Sequence, residues 1–202
     1  MKKIGLLIIL YFPLLSTTAF GQQGFSYTEN TKINEKVDSV LSLYNIYAGL
    51  TETGSFIYPP YIKKFKNLFI KEAKVYNDIE PDSIARENNS LLTINEYVDS
   101  IQRWYKKGLT VGIKDIKKGK ITQISSNKYT KIVKVKKELF ATHKTKGYYD
   151  KNFKLIFTIS FTKQGKLFEN FKIEKINSEI IQLPPTPPEN INIIAGNKQV
   201  II

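Results

Sequence analysis

Between Thr31 and Leu50 the apolar residues fall at Ile33, Val37, Val40, Leu41, Tyr44, Tyr47 and Leu50. That is the three-and-four spacing of one helical face. Asn30 or Thr31 suits the cap at its start, and Gly49 to Gly54 breaks it. In "YPPYIKKFKNLFI", Pro59-Pro60 fits the first turn of a helix but not its interior. Ile62, Phe65, Leu68 and Phe69 then mark a short second helical face. From Ala73 to Ile79 the period changes to two, with Ala73, Val75 and Ile79 apolar, and a strand is expected. Glu80 to Ser90, rich in Asp, Asn and Ser, reads as a loop. Thr93-Ile94-Asn95-Glu96 has the spacing of a capping box, in which Thr and Glu satisfy each other's free amides. It opens a third helix through Tyr97, Val98, Ile101, Trp104 and Tyr105, with Gly108 as its stop.

Everything from Leu109 to about Ile176 has the pattern of strands. Leu109, Val111 and Ile113 alternate with polar or small residues. Phe153, Leu155, Phe157, Ile159 and Phe161 occupy every odd position, the cleanest period-two run in the chain. Turns are expected at Lys118-Gly119-Lys120, Ser125 to Lys128, Tyr149 to Asn152 and Lys163 to Lys166, with a long bent strand from Tyr129 to Lys146. Four strands joined by short turns make an antiparallel meander. The fold class expected is α+β: three N-terminal helices packed on a curved antiparallel sheet.

The two ends of the chain lie outside that pattern. Lys2-Lys3, the apolar run Ile4 to Leu15 and the small residues before Gly21 have the layout of a signal peptide. Cleavage is expected before Gln22, with Ala19 as the competing position. Residues 1–21 are therefore read as a signal peptide, residues 22–182 as the α+β domain, and residues 183–202 as a Pro-rich linker, "LPPTPPEN", with a short tail. No later run approaches the roughly 18 apolar residues of a membrane span. Export to the periplasm of a Gram-negative bacterium, or secretion, is the expected destination.

Composition narrows the chemistry. The chain has no cysteine, which removes disulfides, thiolate metal sites and a cysteine nucleophile. One histidine and no clustered carboxylates leave no metal site to expect, and no Gly-rich phosphate loop suggests a cofactor. The formal charge is +13, and loss of Lys2 and Lys3 with the leader takes it to +11. The lysines are spread along the strands without Arg-rich clusters, and export argues against nucleic acid as the partner. The expected partners are an envelope protein, an anionic glycan or a lipid surface, and a homodimer through the sheet is a further expectation.

The segments "LFIKEAKVYNDI", "LLTINEYVDSI" and "LTVGI" follow one another as strand, capped helix and first meander strand. In that order the chain from about Ile33 to Ile176 resembles the nuclear transport factor 2-like superfold, also called the cystatin-like cone. Exported Bacteroidetes proteins of this type are similar. The resemblance implies a curved sheet and helices enclosing a conical pocket. It also implies a choice of functions, since the superfold hosts isomerases, dehydratases, small-ligand binders and protein-binding modules. Enzymes that use such a cone, like the ketosteroid isomerases, need a carboxylate base and hydroxyl donors for a developing oxyanion.

Candidate residues for such a site are few. If the strand Ala73–Ile79 is regular, Asp78 points away from the apolar face and Asn77 towards it, so Asn77 is the better candidate for ligand contact. Asp115 shares parity with Val111 and Ile113, and His143 with Val133, Val135, Leu139 and Ala141. Tyr44, Tyr47, Tyr97, Trp104 and Phe157 could line a pocket, although their spacing is already explained by core packing. No residue is assigned as catalytic. The favoured expectation is a non-enzymatic binding domain. The alternatives are a pocket for a small apolar ligand and an isomerase- or dehydratase-like enzyme using Asp115, Asp78 or His143.

Overall fold

The computed structural model describes residues 24–51 and 57–179. The expected leader, Pro-rich linker and tail lie outside these residues. The first helix, α1, spans Tyr27–Tyr47 and begins four residues earlier than the apolar spacing indicates. Its cap is Ser26, which forms a capping box with Glu29: the Ser26 amide donates to Glu29 Oε2 at 2.9 Å, and the Glu29 amide to Ser26 Oγ at 3.2 Å. The polar lead thus continues the helix because its own side chains satisfy the free amides. A second helix, α2 (Pro59–Lys66), starts on its two prolines as expected.

The strand β1 covers Phe69–Tyr76, so it starts and stops earlier than its period-two pattern suggests. The stretch expected as a loop contains a short helix, α3 (Ser83–Asn88), because Asp82 Oδ1 accepts from the Ala85 amide at 2.9 Å and caps it. A three-residue strand, β2 (Leu91–Thr93), leads into α4 (Ile94–Trp104), whose Thr93–Glu96 capping box is present as expected. Gly108 then turns the chain at φ +69. A Cβ there would come within 2.4 Å of the Gly49 carbonyl oxygen, so the turn nests against the end of α1 only with glycine.

The meander follows as β3 (Leu109–Gln123), β4 (Lys128–His143), β5 (Gly147–Gln164) and β6 (Leu167–Ser178). Two expected turns are strand instead. Lys118 to Lys120 lie within β3, which absorbs its irregularity as register shifts between Lys114 and Lys117 and between Lys118 and Ile121. Tyr149 to Asn152 pair with Ala141 to Glu138 of β4. The real turn lies at Lys144 to Lys146, where His143 Nδ1 accepts from the Thr145 and Lys146 amides and Gly147 adopts φ +76.

The six strands form one sheet in the order β2-β1-β6-β5-β4-β3. It is not wholly antiparallel: β1 runs parallel to β6, because the four-stranded meander brings the chain back in the direction it first had. The helices cover one curved face, and the core between them is built from residues such as Ile33, Phe65, Val98, Leu155 and Ile173. This element order and curvature are the expected α+β cone. Among the described residues no helix is long and apolar enough to cross a membrane.

The start of α1 is fastened to the sheet by Lys163 of β5, whose ammonium meets Glu29 Oε1 at 2.8 Å. This bond and the Ser26 contacts lower the Glu29 carboxyl from 4.5 to about 2. A carboxyl lowered on folding stabilises the fold fully above its ordinary value, and the contribution is lost as pH falls through the folded one. Stability should therefore decline between about pH 4.5 and 2 by a component that Glu29→Gln removes. Urea midpoints across that window, for wild type and variant, measure it.

Candidate functional site

The inside of the cone centres on a polar network with no exposure to solvent. Lys137 is on the inward face of β4 between Val135 and Leu139 and is completely buried. Its ammonium donates to Asp78 Oδ2 at 2.8 Å, to the Tyr97 hydroxyl at 3.0 Å and to the Tyr44 hydroxyl at 3.1 Å. Three donors meet three acceptors, so the group is fully satisfied. Tyr97 in turn donates its hydroxyl to Asp78 Oδ1 at 2.9 Å. Both Asp78 oxygens act as acceptors, which is the behaviour of a carboxylate. The ammonium also lies over the rings of Tyr44 and Tyr97, 5.5 and 5.7 Å from their centroids.

The electrostatics follow from burial and pairing. Burial disfavours the Lys137 charge, yet Asp78 and the Tyr44 oxygen outweigh it and hold the ammonium above its ordinary value. Burial, then the Asp78 charge, push the Tyr97 hydroxyl well above 10. Burial also raises the Tyr44 hydroxyl above its ordinary value. Both phenols therefore keep their protons.

Asp78 is positioned by an exit turn that several elements clamp. The strand ends at Tyr76, and the Asp78 amide donates to the Tyr76 carbonyl at 2.9 Å, which turns the chain inward. Tyr149 of β5 donates to the Asp78 carbonyl at 2.9 Å. Tyr105, at the end of α4, donates to the Ile79 carbonyl. Arg86 of α3 donates to the Glu80 carbonyl at 2.8 Å and lies over the Phe153 ring. The Tyr149 hydroxyl is pushed up to about 12, first by burial.

Strand parity had placed Asp78 on the outside. It is 1 % exposed and faces inward. The parity count extended past Tyr76, where the regular strand and hence its alternation stop. Asn77 is buried too, but it is engaged elsewhere: its side-chain amide donates to the Asn89 carbonyl at 3.0 Å and its backbone to Ser90 at 2.9 Å. It fastens the turn to the α3–β2 connection.

The other candidates are spread out. Tyr44 and Tyr97 are in the network, and Phe157 packs edge-on against Tyr44 with centroids 5.1 Å apart. Tyr47 is outside it, edge-on to Tyr61 at 5.0 Å. His143 is buried beneath Trp104, with which it stacks at 5.4 Å. Its Nδ1 accepts from two backbone amides of the β4–β5 turn, and burial lowers its pKa below 6.5. Asp115 does not face the cone. It is exposed, with φ +52, at the bulge of β3. Lys137 was missed, although the alternation that turns Val133, Val135, Leu139, Ala141 and His143 inward also turns Lys137 inward. A lysine interrupting an apolar series was the available signal.

Chemically, a free carboxylate beside a tyrosine hydroxyl in a cone would suit proton abstraction with oxyanion support. Here Lys137 occupies the space and the charge that a substrate would need. The rings of Tyr44, Phe65, Phe69 and Phe157 fill the space around it in edge-to-face and tilted contacts 5.1 to 6.3 Å apart. Among the described residues no group of His, Asp and Glu could hold a metal ion.

No family model and no curated protein matches the sequence. Among solved structures the chain is similar to a hexachlorocyclohexane dehydrochlorinase, LinA type 2, with TM-score 0.45 and 10% identity over 82% of this chain and 100% of that one. It is similar to the LinA type 3 enzyme of Novosphingobium barchaimii LL02, with TM-score 0.45 and 11% identity over 81% and 100%. It is also similar to the association domain of C. elegans CaMKII, with TM-score 0.42 and 7% identity over 76% and 98%. Likeness at this level concerns the path of the chain and extends to no side chain.

Removing one partner of a buried ion pair strands the other charge, at a cost of about 3 to 5 kcal/mol. Lys137→Met and Asp78→Asn should each destabilise the protein by about that much, and the double variant by less than the sum of the two. Urea unfolding of the three variants checks this.

Proposed function

We propose that the protein is an exported, non-enzymatic binding domain that engages an anionic partner through its lysine-bearing sheet. The observation that carries the non-enzymatic part is the closure of the cone. Its only inward carboxylate among the described residues, Asp78, is paired with Lys137 at 2.8 Å, and both are buried. A general base must reach the proton it removes. Asp78 reaches only Lys137 and Tyr97.

The distribution of charge supports the binding part. Residues 109–178, the meander, carry seventeen lysines against five acidic residues. Residues 24–108, which hold the helices and β1, carry eleven basic residues against eleven acidic ones. The net charge therefore belongs to the sheet, while the helical half is close to neutral. On the outer face a groove of about 270 Å³ is bordered by Lys117, Lys134, Lys136 and Lys154, against the two acids Asp115 and Glu179. Only part of this charge is balanced locally: Lys114 and Lys136 share Glu138, and Lys134 meets Glu179. A surface with one dominant sign attracts polyanions or anionic lipid from a distance and loses that attraction as salt screens it. Export adds the setting in which envelope lipid, glycan and acidic proteins are the available anions.

Sedimentation with phosphatidylglycerol vesicles tests the reading, with phosphatidylcholine vesicles as the neutral control. Binding to the anionic vesicles is expected at low salt and should fall steeply at about 0.5 M salt. Reversing Lys117, Lys134, Lys136 and Lys154 to Glu should abolish it without changing the unfolding midpoint greatly, since exposed charges contribute little to stability. Equal binding to both vesicles, or no effect of the four reversals, contradicts the proposal.

A further inference from the structure

A second inward lysine lies at the far end of β4, and its surroundings differ from those of Lys137. Lys131 pairs across the sheet with Ile121 of β3 and is 4 % exposed. None of the ion pairs among the described residues includes it. Asp38 is engaged with Lys118 at 2.5 Å, and Glu29 with Lys163 at 2.8 Å. Burial, followed by repulsion from Lys118, lowers the Lys131 pKa.

Lys131 borders a groove of about 330 Å³ between the start of α1 and the ends of β3 and β4. Phe25, Ile121 and Tyr129 give it an apolar side, and Lys120 adds a second cation. Asn30 also borders it, but its amide is committed to the Phe25 and Ser26 carbonyls. The stem of Lys131 is buried while its side chain borders the open groove, so its ammonium is a cation without a counter-charge that a bound anion would neutralise. One ammonium matches a single negative charge, and the apolar side asks for a hydrocarbon body.

We propose that this groove binds a small amphiphilic carboxylate, with the headgroup on Lys131 and the apolar body against Phe25, Ile121 and Tyr129. The site is separate from the outer sheet face and from the closed network around Asp78.

Titration of the isotope-labelled mature protein with octanoate, followed by amide chemical shifts, tests the assignment. Octanol and inorganic phosphate serve as the uncharged and the body-less controls. Saturable shifts are expected around Phe25 to Asn30, Lys120 to Gln123 and Tyr129 to Lys131, with both controls at least about tenfold weaker. Lys131→Met should weaken octanoate by about tenfold or more and leave the urea midpoint unchanged or raised, because it removes a cation without a counter-charge and keeps the buried stem. If Lys131→Met does not fold, Lys131→Gln takes its place. Octanol binding as tightly as octanoate, phosphate binding as tightly as octanoate, an unaffected Lys131 variant, or no saturable shift overturns the proposal.

Discussion

The Asp78 carboxylate and the Lys137 ammonium meet at 2.8 Å in a place that solvent does not reach. Neither charge is tolerable there alone, since a buried ion must be paired and its remaining donors and acceptors satisfied. That constraint organises the middle of the molecule. Tyr44 from α1 and Tyr97 from α4 complete the ammonium's bonds, and Tyr97 completes the carboxylate's. Tyr105, Tyr149 and Arg86 hold the turn that presents Asp78. Two helices, two strands and the α3 region are thereby fixed around one pair of charges.

The pair also separates what the cone could do from what the surface can do. Its interior has the carboxylate and hydroxyls that acid–base chemistry uses, but they are spent on one another and on Lys137. Outside it, the sheet carries nearly all of the net charge. Lys131 shows the contrast within a single strand. Six residues from Lys137 and on the same face, it is buried without a carboxylate beside it and borders an open groove. The same residue type in the same parity closes one end of the sheet and leaves the other ready for an anion.

Much of the fold was legible in the chain. The apolar face from Ile33 to Leu50, the Thr93–Glu96 box, Gly108 and the alternation from Phe153 to Phe161 each express a local rule, and each appears in the structure. What was not legible depended on partners distant in sequence. Ser26 and Glu29 extend α1 through polar contacts that hydrophobic spacing does not register. Lys118 to Lys120 look like a turn but are carried through as strand by pairing with β4. Asp78 looked external because alternation was continued beyond Tyr76, where the backbone turns. Lys137 was visible as an inward lysine, but the residue that neutralises it is 59 positions away.

The most direct test of the closed network is the ammonium of Lys137 itself. Side-chain nitrogen-15 spectra of the labelled protein report its protonation and the rate at which its hydrogens exchange with water. A sealed, fully bonded ammonium predicts a separate Lys137 signal that stays protonated above the ordinary lysine range and exchanges far more slowly than those of surface lysines. A Lys137 that titrates with the surface lysines, or exchanges as fast as they do, would mean that water enters the cone and would contradict the account.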